Sequence, residues 1–275
     1  MGKISAADVK KLRNQTGAGM MDCKKALTET DGDFDKAIEV LRKKGQKVAA
    51  KRADRESSEG VTIARVSDDR KKGIVLSLNC ETDFVAKNDD FVKLATQLAD
   101  LALKFNSKEE LLQSQFDDKL SVEEKLTEQT GVIGEKIEIG DFRVLEADFV
   151  GYYIHANNKI AVIAGLSKAV DKAEEAAKEV AMQAAAMNPL ALNEDEIPQD
   201  VVNKEIEIAK DTLRQEGKPE EMLDKIAQGK LKRYFKDNTL VNMAYIKDNK
   251  KSLSDFMKTY DNDLKITAFE RVALV

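Results

Sequence analysis

Two stretches of the sequence contain residue types that bind nucleotides or calcium in other proteins. Residues 17–22 read Gly-Ala-Gly-Met-Met-Asp, a fragment of the dinucleotide-binding fingerprint, but no strand precedes them and Asp22 stands at the third glycine position. Residues 31–35 read Asp-Gly-Asp-Phe-Asp, like the start of a calcium loop, but Lys36 and Arg42 occupy the positions of its glycine and its bidentate acid. We interpret the first stretch as a turn between helices and the second as a helix cap.

Histidine and cysteine, two residue types common in catalytic and metal-binding sites, are scarce. The 275 residues include one histidine, His155, and two cysteines, Cys23 and Cys80, which form no Cys-x-x-Cys pair. A single histidine excludes a multi-histidine metal site and paired-histidine acid–base chemistry. His155 has no nucleophile near it in sequence, so we expect a half-exposed surface residue on a strand. The chain also lacks a Walker motif. We therefore predict no metal, no cofactor and no enzymatic activity.

The overall composition limits the partners and the location. The chain has 45 Lys and Arg against 50 Asp and Glu, a net charge of −5, so direct binding of nucleic acid is not expected. No apolar run approaches the roughly 20 residues that span a bilayer. The N-terminus enters a polar helical pattern without a signal region, and the cysteine usage fits a reducing compartment. We predict a cytoplasmic protein that does not bind membranes.

Two other segments contain residues suited to contact with another protein. Met20 and Met21 are adjacent at the start of a predicted helix. Because adjacent helical positions differ by about 100°, at least one of them should point outward, where a flexible thioether suits an apolar partner surface. Residues 79–88 read Asn-Cys-Glu-Thr-Asp-Phe-Val-Ala-Lys-Asn, between a predicted strand and a predicted helix. Phe84 in this segment could pack into the core or face a partner, and the pattern leaves both alternatives open.

The methionines belong to a predicted module of three helices. Ser5 and Asp8 have the spacing of a capping box, residues 17–19 break the chain, and Asp33 can cap the third helix. Apolar residues of that helix recur at i, i+3, i+4 and i+7, which predicts one buried face. A unit of about 40 residues is marginally stable alone, so we expect a small module with a binding role.

Phe84 belongs to a predicted α+β core. Alternating apolar residues predict a strand near residues 74–79 with 61–66 as its hairpin partner, and an apolar stripe from Phe91 to Phe105 predicts the following helix. The scheme recurs, which indicates a core of two related halves. In the second half, three strands are predicted at 136–146, 149–155 and 159–165, followed by an alanine-rich helix at 172–187.

The rest of the chain is predicted as a helical hairpin and a C-terminal module. Apolar residues from Val202 to Leu213 keep a 4, 3, 4 spacing, break at residues 217–219 and resume at Met222, which predicts an antiparallel coiled-coil arm. This arm could mediate dimerisation or contact a partner. The predicted divisions are a three-helix module at 1–45, a charged linker at 46–59, a core N-subdomain at 60–135, a core C-subdomain at 136–192 and 237–250, the hairpin at 193–236 and the C-terminal module at 251–275.

Two segments of the sequence, residues 12–27 and 79–88, resemble the two signature segments of the bacterial translation elongation factor Ts family. Their order and separation match, and the resemblance covers the whole chain. It implies an α+β fold in which a UBA-like three-helix module precedes a two-subdomain core with an inserted antiparallel helical hairpin and a short C-terminal module. Glu81 stands where glutamine is frequent in the family. Residues 243–245, Met-Ala-Tyr, replace a common Gln-Pro-aromatic stretch, which leaves the orientation of the last module open.

The resemblance implies a guanine-nucleotide exchange factor for elongation factor Tu, a GTPase. Thr82, Asp83, Phe84 and Val85 would then disturb the magnesium site of the partner, so that GDP leaves and GTP can bind. Phe84 would enter an apolar gap as a wedge. Asp83 would orient the loop or perturb polar groups near the metal.

The resemblance also implies two further contacts with the same partner. Arg13, Met20 and Met21 would bind a helix of the nucleotide-binding domain, and the region around His155 would contact a more distant domain. An alternative from another class is a non-catalytic UBA-like adaptor with a dimerising α+β core. Acceleration of GDP release distinguishes the two hypotheses, and a homodimer through the core or the hairpin is compatible with either.

Overall fold

Helices and small β-sheets alternate along the chain in the computed structural model, which describes residues 4–155 and 157–274. The fold is α+β, as predicted. None of the helices in these ranges is both long and apolar enough to cross a membrane. In chain order the elements are α1 (Ala6–Thr16), α2 (Met20–Glu29), α3 (Phe34–Arg52), β1 (Glu59–Val66), β2 (Lys72–Cys80), α4 (Asp83–Ala86), α5 (Asp89–Ala102), α6 (Lys108–Gln113), α7 (Val122–Ile133), β3 (Glu138–Glu146), β4 (Phe149–His155), β5 (Ile160–Leu166), α8 (Ala173–Met187), α9 (Gln199–Gln215), α10 (Glu220–Asn238), β6 (Ala244–Tyr245), β7 (Asp248–Ser252), α11 (Leu253–Met257) and β8 (Ile266–Ala273).

The chain divides into two units. Unit 1 takes its described residues from Met1–Ile63, Leu76–Arg143 and Ala273–Val275. Unit 2 takes its described residues from Ala64–Val75 and Val144–Val272. Strands β1, β2 and β3 therefore each contribute residues to both units.

The three predicted N-terminal helices are present in unit 1. Ser5 and Asp8 form the predicted capping box at the start of α1, and Asp33 caps α3 by accepting a hydrogen bond from the Lys36 backbone. Gly17 ends α1 in the left-handed conformation, with φ of 69°, which glycine adopts at little cost. The apolar faces of the helices meet in a core whose buried members are Val9, Leu12, Ala18, Cys23, Ala26, Leu27 and Ala37.

Helix α3 continues past this core and packs against α7. The two helices cross at Gly45 and Gly131, where a Cβ on Gly131 would lie 2.3 Å from the Gly45 Cα. Only a residue without a side chain permits that approach of the two backbones. Residues 46–52, predicted as part of a charged linker, are thus the last turns of a helix that packs on the rest of unit 1.

Strand β3 has a different neighbour from the one expected. The divisions predicted from sequence group residues 136–146 with the following strands, whereas β3 lies beside β2 in a sheet of order β1-β2-β3. Gly140 leaves room for two β2 side chains, because a Cβ there would lie 2.7 Å from side-chain atoms of Ser77 and Asn79. The Asp141 backbone N–H also donates to Ser77 Oγ at 2.9 Å. Alternation of apolar and polar residues predicts that a segment is a strand, but it does not predict which other strand lies beside it in the sheet.

The second sheet, of order β4-β5-β8, forms the centre of unit 2 together with α8. Strands β4 and β5 are antiparallel, with Phe149 opposite Leu166 and His155 opposite Ile160. Gly151 lets the alanine-rich helix lie close to β4, since a Cβ there would lie 2.4 Å from the Ala177 Cβ.

The C-terminal residues 251–275 were expected as a module of their own, but described residues of α11 and β8 contribute to this core instead. Leu253 and Met257 of α11 and Ile266 of β8 are buried in the same cluster as the alanines of α8. Strand β8 is the third strand of the second sheet. Burial of these apolar side chains against a helix far earlier in the chain is favourable, and local sequence spacing does not reveal it.

Tyr245 determines how the strands before α11 are attached. Its ring stacks on Phe256 at a centroid distance of 4.0 Å, and its hydroxyl donates to Glu179 of α8 at 2.6 Å. The Gln183 side chain of α8 donates to the Ala244 carbonyl and accepts from the Ile246 backbone N–H, each at 2.9 Å. The orientation left open by the unusual Met-Ala-Tyr stretch is therefore set by contacts with α8.

Helices α9 and α10 form the predicted antiparallel hairpin. The residues of its seam are buried, and ion pairs cross it from Lys210 to Asp224 at 2.8 Å and from Arg214 to Glu220 at 2.9 Å. Met222, where the seam was expected to resume, is 47% exposed, and the next residue begins the buried face of α10 instead. The buried seam residues on the two helices are Val202, Ala209, Leu213, Leu223, Ala227 and Leu231.

Candidate partner-binding site

The segment from Thr82 to Val85 forms a defined turn between β2 and α5. Its last three residues begin α4, and the backbone N–H of Lys87 donates to the Asp83 carbonyl at 3.1 Å. Asn88 then caps α5 by accepting from the Asp90 backbone at 2.8 Å. Helix α5 is amphipathic and buries its apolar face, so both ends of the turn are attached to ordered elements. We call residues 82–85 the Phe84 turn.

Phe84 projects from this turn into solvent. Its side chain is 84% exposed, whereas Ala86 on the same helical turn is buried and Val85 is half-buried. The alternative that Phe84 packs into the core is therefore wrong. A phenylalanine gains roughly 1.5–3 kcal/mol when it is buried, and at Phe84 that free energy is still available for binding a partner.

Glu135 holds the base of the turn. One carboxylate oxygen, Oε2, accepts hydrogen bonds from the backbone N–H groups of Glu81 at 3.1 Å and Thr82 at 3.0 Å. The other, Oε1, accepts from the Thr82 hydroxyl at 2.7 Å. We call these three hydrogen bonds the Glu135 clamp. Glu135 follows Gly134, which ends α7 in the left-handed conformation with φ of 84°.

Glu81 makes the reciprocal contacts. Its carboxylate accepts from the Lys136 backbone N–H at 2.7 Å, and Arg52 Nη1 lies 2.7 and 2.8 Å from its two oxygens. These hydrogen bonds, that from Lys136 first and that from Arg52 second, lower the pKa of Glu81 below its ordinary value of 4.5 despite the opposing effect of burial. At neutral pH the carboxylate is ionised, and it joins the end of α3 to the start of the turn.

Asp83 places a carboxylate next to Phe84. Lys87 donates to Asp83 Oδ2 at 2.6 Å, an i,i+4 pair on the surface of α4, and this contact raises the pKa of Lys87. The pair is solvent-exposed, so we assign it little stability. The surface presented by the turn thus combines one aromatic ring with the Asp83–Lys87 ion pair beside it.

The predicted residues of the N-terminal module lie on its surface. Arg13 is exposed in the last turn of α1, and Met20 and Met21, at the start of α2, are 43% and 75% exposed. The prediction that at least one methionine points outward is confirmed. The physical reason is that Cys23, Ala26 and Leu27 already form the buried face of α2.

His155 is exposed at the end of β4 in unit 2 and accepts or donates a hydrogen bond of 2.9 Å with the Tyr153 hydroxyl through Nδ1. The sequence predicts a half-exposed histidine, and the structure exposes it further. The other seven predicted contact residues belong to unit 1. Within residues 4–155 and 157–274, no group of three or more His, Cys, Asp or Glu side chains is arranged to hold a metal ion.

Glu135 and Arg52 were not identified from the sequence. Glu135 is 53 residues away from Thr82, and Arg52 is 29 residues away from Glu81. Neither belongs to a motif, and an isolated Glu or Arg in a chain with 35% charged residues gives no signal. Only the packing of α3 and α7 brings them to the turn.

Known proteins similar to this one over the whole chain are described as elongation factor Ts. The family model described as Elongation factor TS matches residues 81–274. Elongation factor Ts of Christiangramia forsetii is 71% identical over 274 residues, and that of Flavobacterium psychrophilum is 61% identical over 274 residues, each alignment covering 100% of both chains. Elongation factor Ts of Cytophaga hutchinsonii is 47% identical over 277 residues, again with 100% of both chains covered. The chain therefore belongs to the elongation factor Ts family.

Proposed function

We propose that the protein is a guanine-nucleotide exchange factor for elongation factor Tu, acting in the cytoplasm. Membership of the elongation factor Ts family makes it a translation elongation factor. Our proposal goes further, because it assigns to the protein the acceleration of GDP release from elongation factor Tu. The observation that carries the proposal is Phe84, 84% exposed on a turn whose base is fixed by the Glu135 clamp. A rigidly attached aromatic ring is suited to enter an apolar gap in another protein.

The mechanism follows from the demands of magnesium. This ion requires near-octahedral oxygen geometry and bridges the nucleotide phosphates to the GTPase. Insertion of Phe84 next to that site would shift the surrounding loops by a small distance and weaken both metal and nucleotide. Asp83 would orient the turn, to which Lys87 also binds it, or perturb polar groups near the metal. Thr82 and Val85 hold the two residues in place, the first through the Glu135 clamp and the second through its half-buried side chain.

The energetics require more than one contact site. A nucleotide bound at nanomolar affinity is held by about 12 kcal/mol, whereas burial of one phenylalanine contributes roughly 1.5–3 kcal/mol. The remainder must come from other surfaces that stabilise the empty GTPase. Arg13, Met20 and Met21 supply one such surface in unit 1, and we assign another to the region of His155 in unit 2. By linkage, a nucleotide that binds the GTPase weakens the exchange factor's binding by the same factor.

Replacement of Phe84 by alanine tests the proposal. Stopped-flow release of a fluorescent GDP analogue from elongation factor Tu should slow by about 10- to 100-fold at saturating exchange factor, the equivalent of roughly 1.5–3 kcal/mol. Affinity for the nucleotide-free GTPase should fall much less. Leu190→Ala is the control, since Leu190 is also an exposed apolar residue, at 59%, but belongs to none of the proposed contact surfaces.

The alternative hypothesis, a non-catalytic adaptor, predicts a different result. An adaptor would bind elongation factor Tu, or another protein, without changing the rate of GDP release. An unchanged release rate on addition of the wild-type protein would therefore contradict the exchange function. If the wild-type protein accelerates release and the Phe84→Ala variant accelerates it equally well, only the wedge role is contradicted. Sedimentation equilibrium tests the homodimer that we also propose, through the core or the hairpin.

A further inference from the structure

The Phe84 turn and the N-terminal module are joined by a continuous set of charged hydrogen bonds within unit 1. The Glu135 carboxylate binds the backbone of residues 81 and 82, and the Glu81 carboxylate binds the backbone of Lys136. The two segments thus hold each other through reciprocal carboxylate-to-backbone contacts. Hydrogen bonds to an ionised acceptor are about twice as strong as neutral ones.

Arg52 extends this arrangement to a third segment. It lies in the last turn of α3, and its side chain is 33% exposed while that of its partner Glu81 is 16% exposed. Partial burial reduces solvent screening, so the pair is stronger than one on the open surface. Helix α3 begins at Phe34 in the core of the N-terminal module and ends at Arg52 beside the turn.

The middle of α3 is fixed independently. The backbones of α3 and α7 touch at Gly45 and Gly131, and α7 leads through Gly134 directly to Glu135. Helix α3 therefore begins in the N-terminal module that contains Met20 and Met21, and α7 is followed by the Glu135 clamp. Motion of the module relative to the Phe84 turn is opposed by the glycine crossing and by the Arg52–Glu81 pair.

From this geometry we infer that Glu135 and Arg52 are positioning residues for nucleotide exchange, Glu135 by orienting the Phe84 turn through Thr82 and Arg52 by joining that turn to the N-terminal module through Glu81. The inference rests on the proposed exchange function. Neither side chain needs to touch the partner. Their effect is to present the aromatic wedge and the methionine surface at one fixed separation, so that binding energy is not lost in ordering them.

The first experiment uses Glu135→Ala and Glu135→Gln. Alanine removes all three hydrogen bonds and should lower the saturating rate of GDP release by about tenfold. Glutamine keeps the shape: its oxygen can accept from both backbone N–H groups, and its amide can donate to the Thr82 hydroxyl. Glu135→Gln should therefore restore the rate to within about threefold of the wild type. Equal rates for the two variants would overturn the role of Glu135.

A double-mutant cycle separates positioning from general destabilisation. If Glu135 acts through Phe84, Glu135→Ala should lower the rate by less than about twofold when Phe84 is already alanine. The same tenfold loss in both backgrounds would overturn the inference. In the same assay Arg52→Ala should lower the saturating rate and Arg42→Ala should not. Arg42 is the matched control, because it is also an arginine of α3 that pairs with a carboxylate, but its partner is Glu124 of α7, at 3.4 Å, and not a residue next to the Phe84 turn.

A fluorescence measurement tests the positioning without the partner. The chain contains no tryptophan, so Phe84→Trp introduces a single probe on the turn. Time-resolved anisotropy should show a larger fast component when Glu135→Ala is added, and no change with Arg42→Ala. Unchanged anisotropy would overturn the orienting role of Glu135. If the anisotropy changes but the wild-type protein does not accelerate GDP release, the exchange function fails while the structural role of Glu135 is retained.

Discussion

The crossing of α3 and α7 provides a sharp test, because its two glycines are not equivalent. A Cβ on Gly131 would lie 2.3 Å from the Gly45 Cα, whereas a Cβ on Gly45 would lie 3.6 Å from its nearest neighbours. The first distance is a clash with backbone, and the second is an ordinary contact. Gly131→Ala should therefore destabilise unit 1, and Gly45→Ala should not.

The magnitude follows from the distances. Carbon atoms pack best at about 3.5–4.0 Å, so an alanine at 131 requires the helices to separate by about 1 Å. Overpacking of this kind costs about 1–3 kcal/mol. Both glycines are helical, and replacement of a helical glycine by alanine gains up to about 1 kcal/mol. Gly45→Ala should thus be neutral or stabilising, and the difference between the variants isolates the clash at about 1–3 kcal/mol.

The assay is urea unfolding of the two variants and the wild type, followed by circular dichroism at neutral pH. Gly131→Ala should have the lower midpoint, and Gly45→Ala a midpoint at or above that of the wild type. Equal free energies of unfolding for the two variants, within about 0.5 kcal/mol, would refute the close crossing of α3 and α7. The same result would remove the support that this crossing gives to a fixed N-terminal module.

Three other variants test separate contacts. Because the pKa of Glu81 is lowered in the folded state, its ionised form adds stability that is complete above its ordinary value of 4.5 and is lost as the pH falls through the lower folded value. Glu81→Gln should therefore be less stable than the wild type at pH 7, and the difference should shrink below pH 4.5 in acid titrations of unfolding. Met21→Ala should weaken binding to nucleotide-free elongation factor Tu several-fold without lowering the unfolding midpoint, since Met21 is 75% exposed; a lowered midpoint would show that the side chain is structural. Tyr245→Phe removes the 2.6 Å hydrogen bond to Glu179 and should cost about 1.5–3 kcal/mol in denaturant unfolding, whereas no loss would mean that the stacking on Phe256 and the Gln183 hydrogen bonds hold this strand without it.

Local sequence patterns were sufficient to predict the structure where the stabilising contacts lie within one helix or between helices that are adjacent in the chain. The Ser5 capping box, the Asp33 cap and the outward methionines depend on residues within one or two turns of each other, and all three are present. The helical hairpin was equally readable, because the apolar residues from Val202 to Leu213 bury one narrow seam. In each case the deciding interaction lies within a single helix or between neighbours in the chain.

The predictions differed from the structure where distant segments compete for the same surface. Strand β3 pairs with β2, where Gly140 leaves room for the side chains of Ser77 and Asn79. The C-terminal residues join the core of unit 2 because Leu253 and Ile266 are buried with α8. Periodicity identifies which residues are apolar on one face, but it contains no information about which other face covers them.

The amino-acid sequence by itself determined that this chain has one histidine and two cysteines, that its helices and strands form an α+β fold, and that residues 79–88 resemble a signature segment of its family. Only the tertiary structure decided that Phe84 is exposed on a fixed turn and that Glu135 and Arg52 hold it there. The physical reason is that exposure and clamping depend on contacts between residues 29 to 53 positions apart, which exist only after α3 and α7 have packed together.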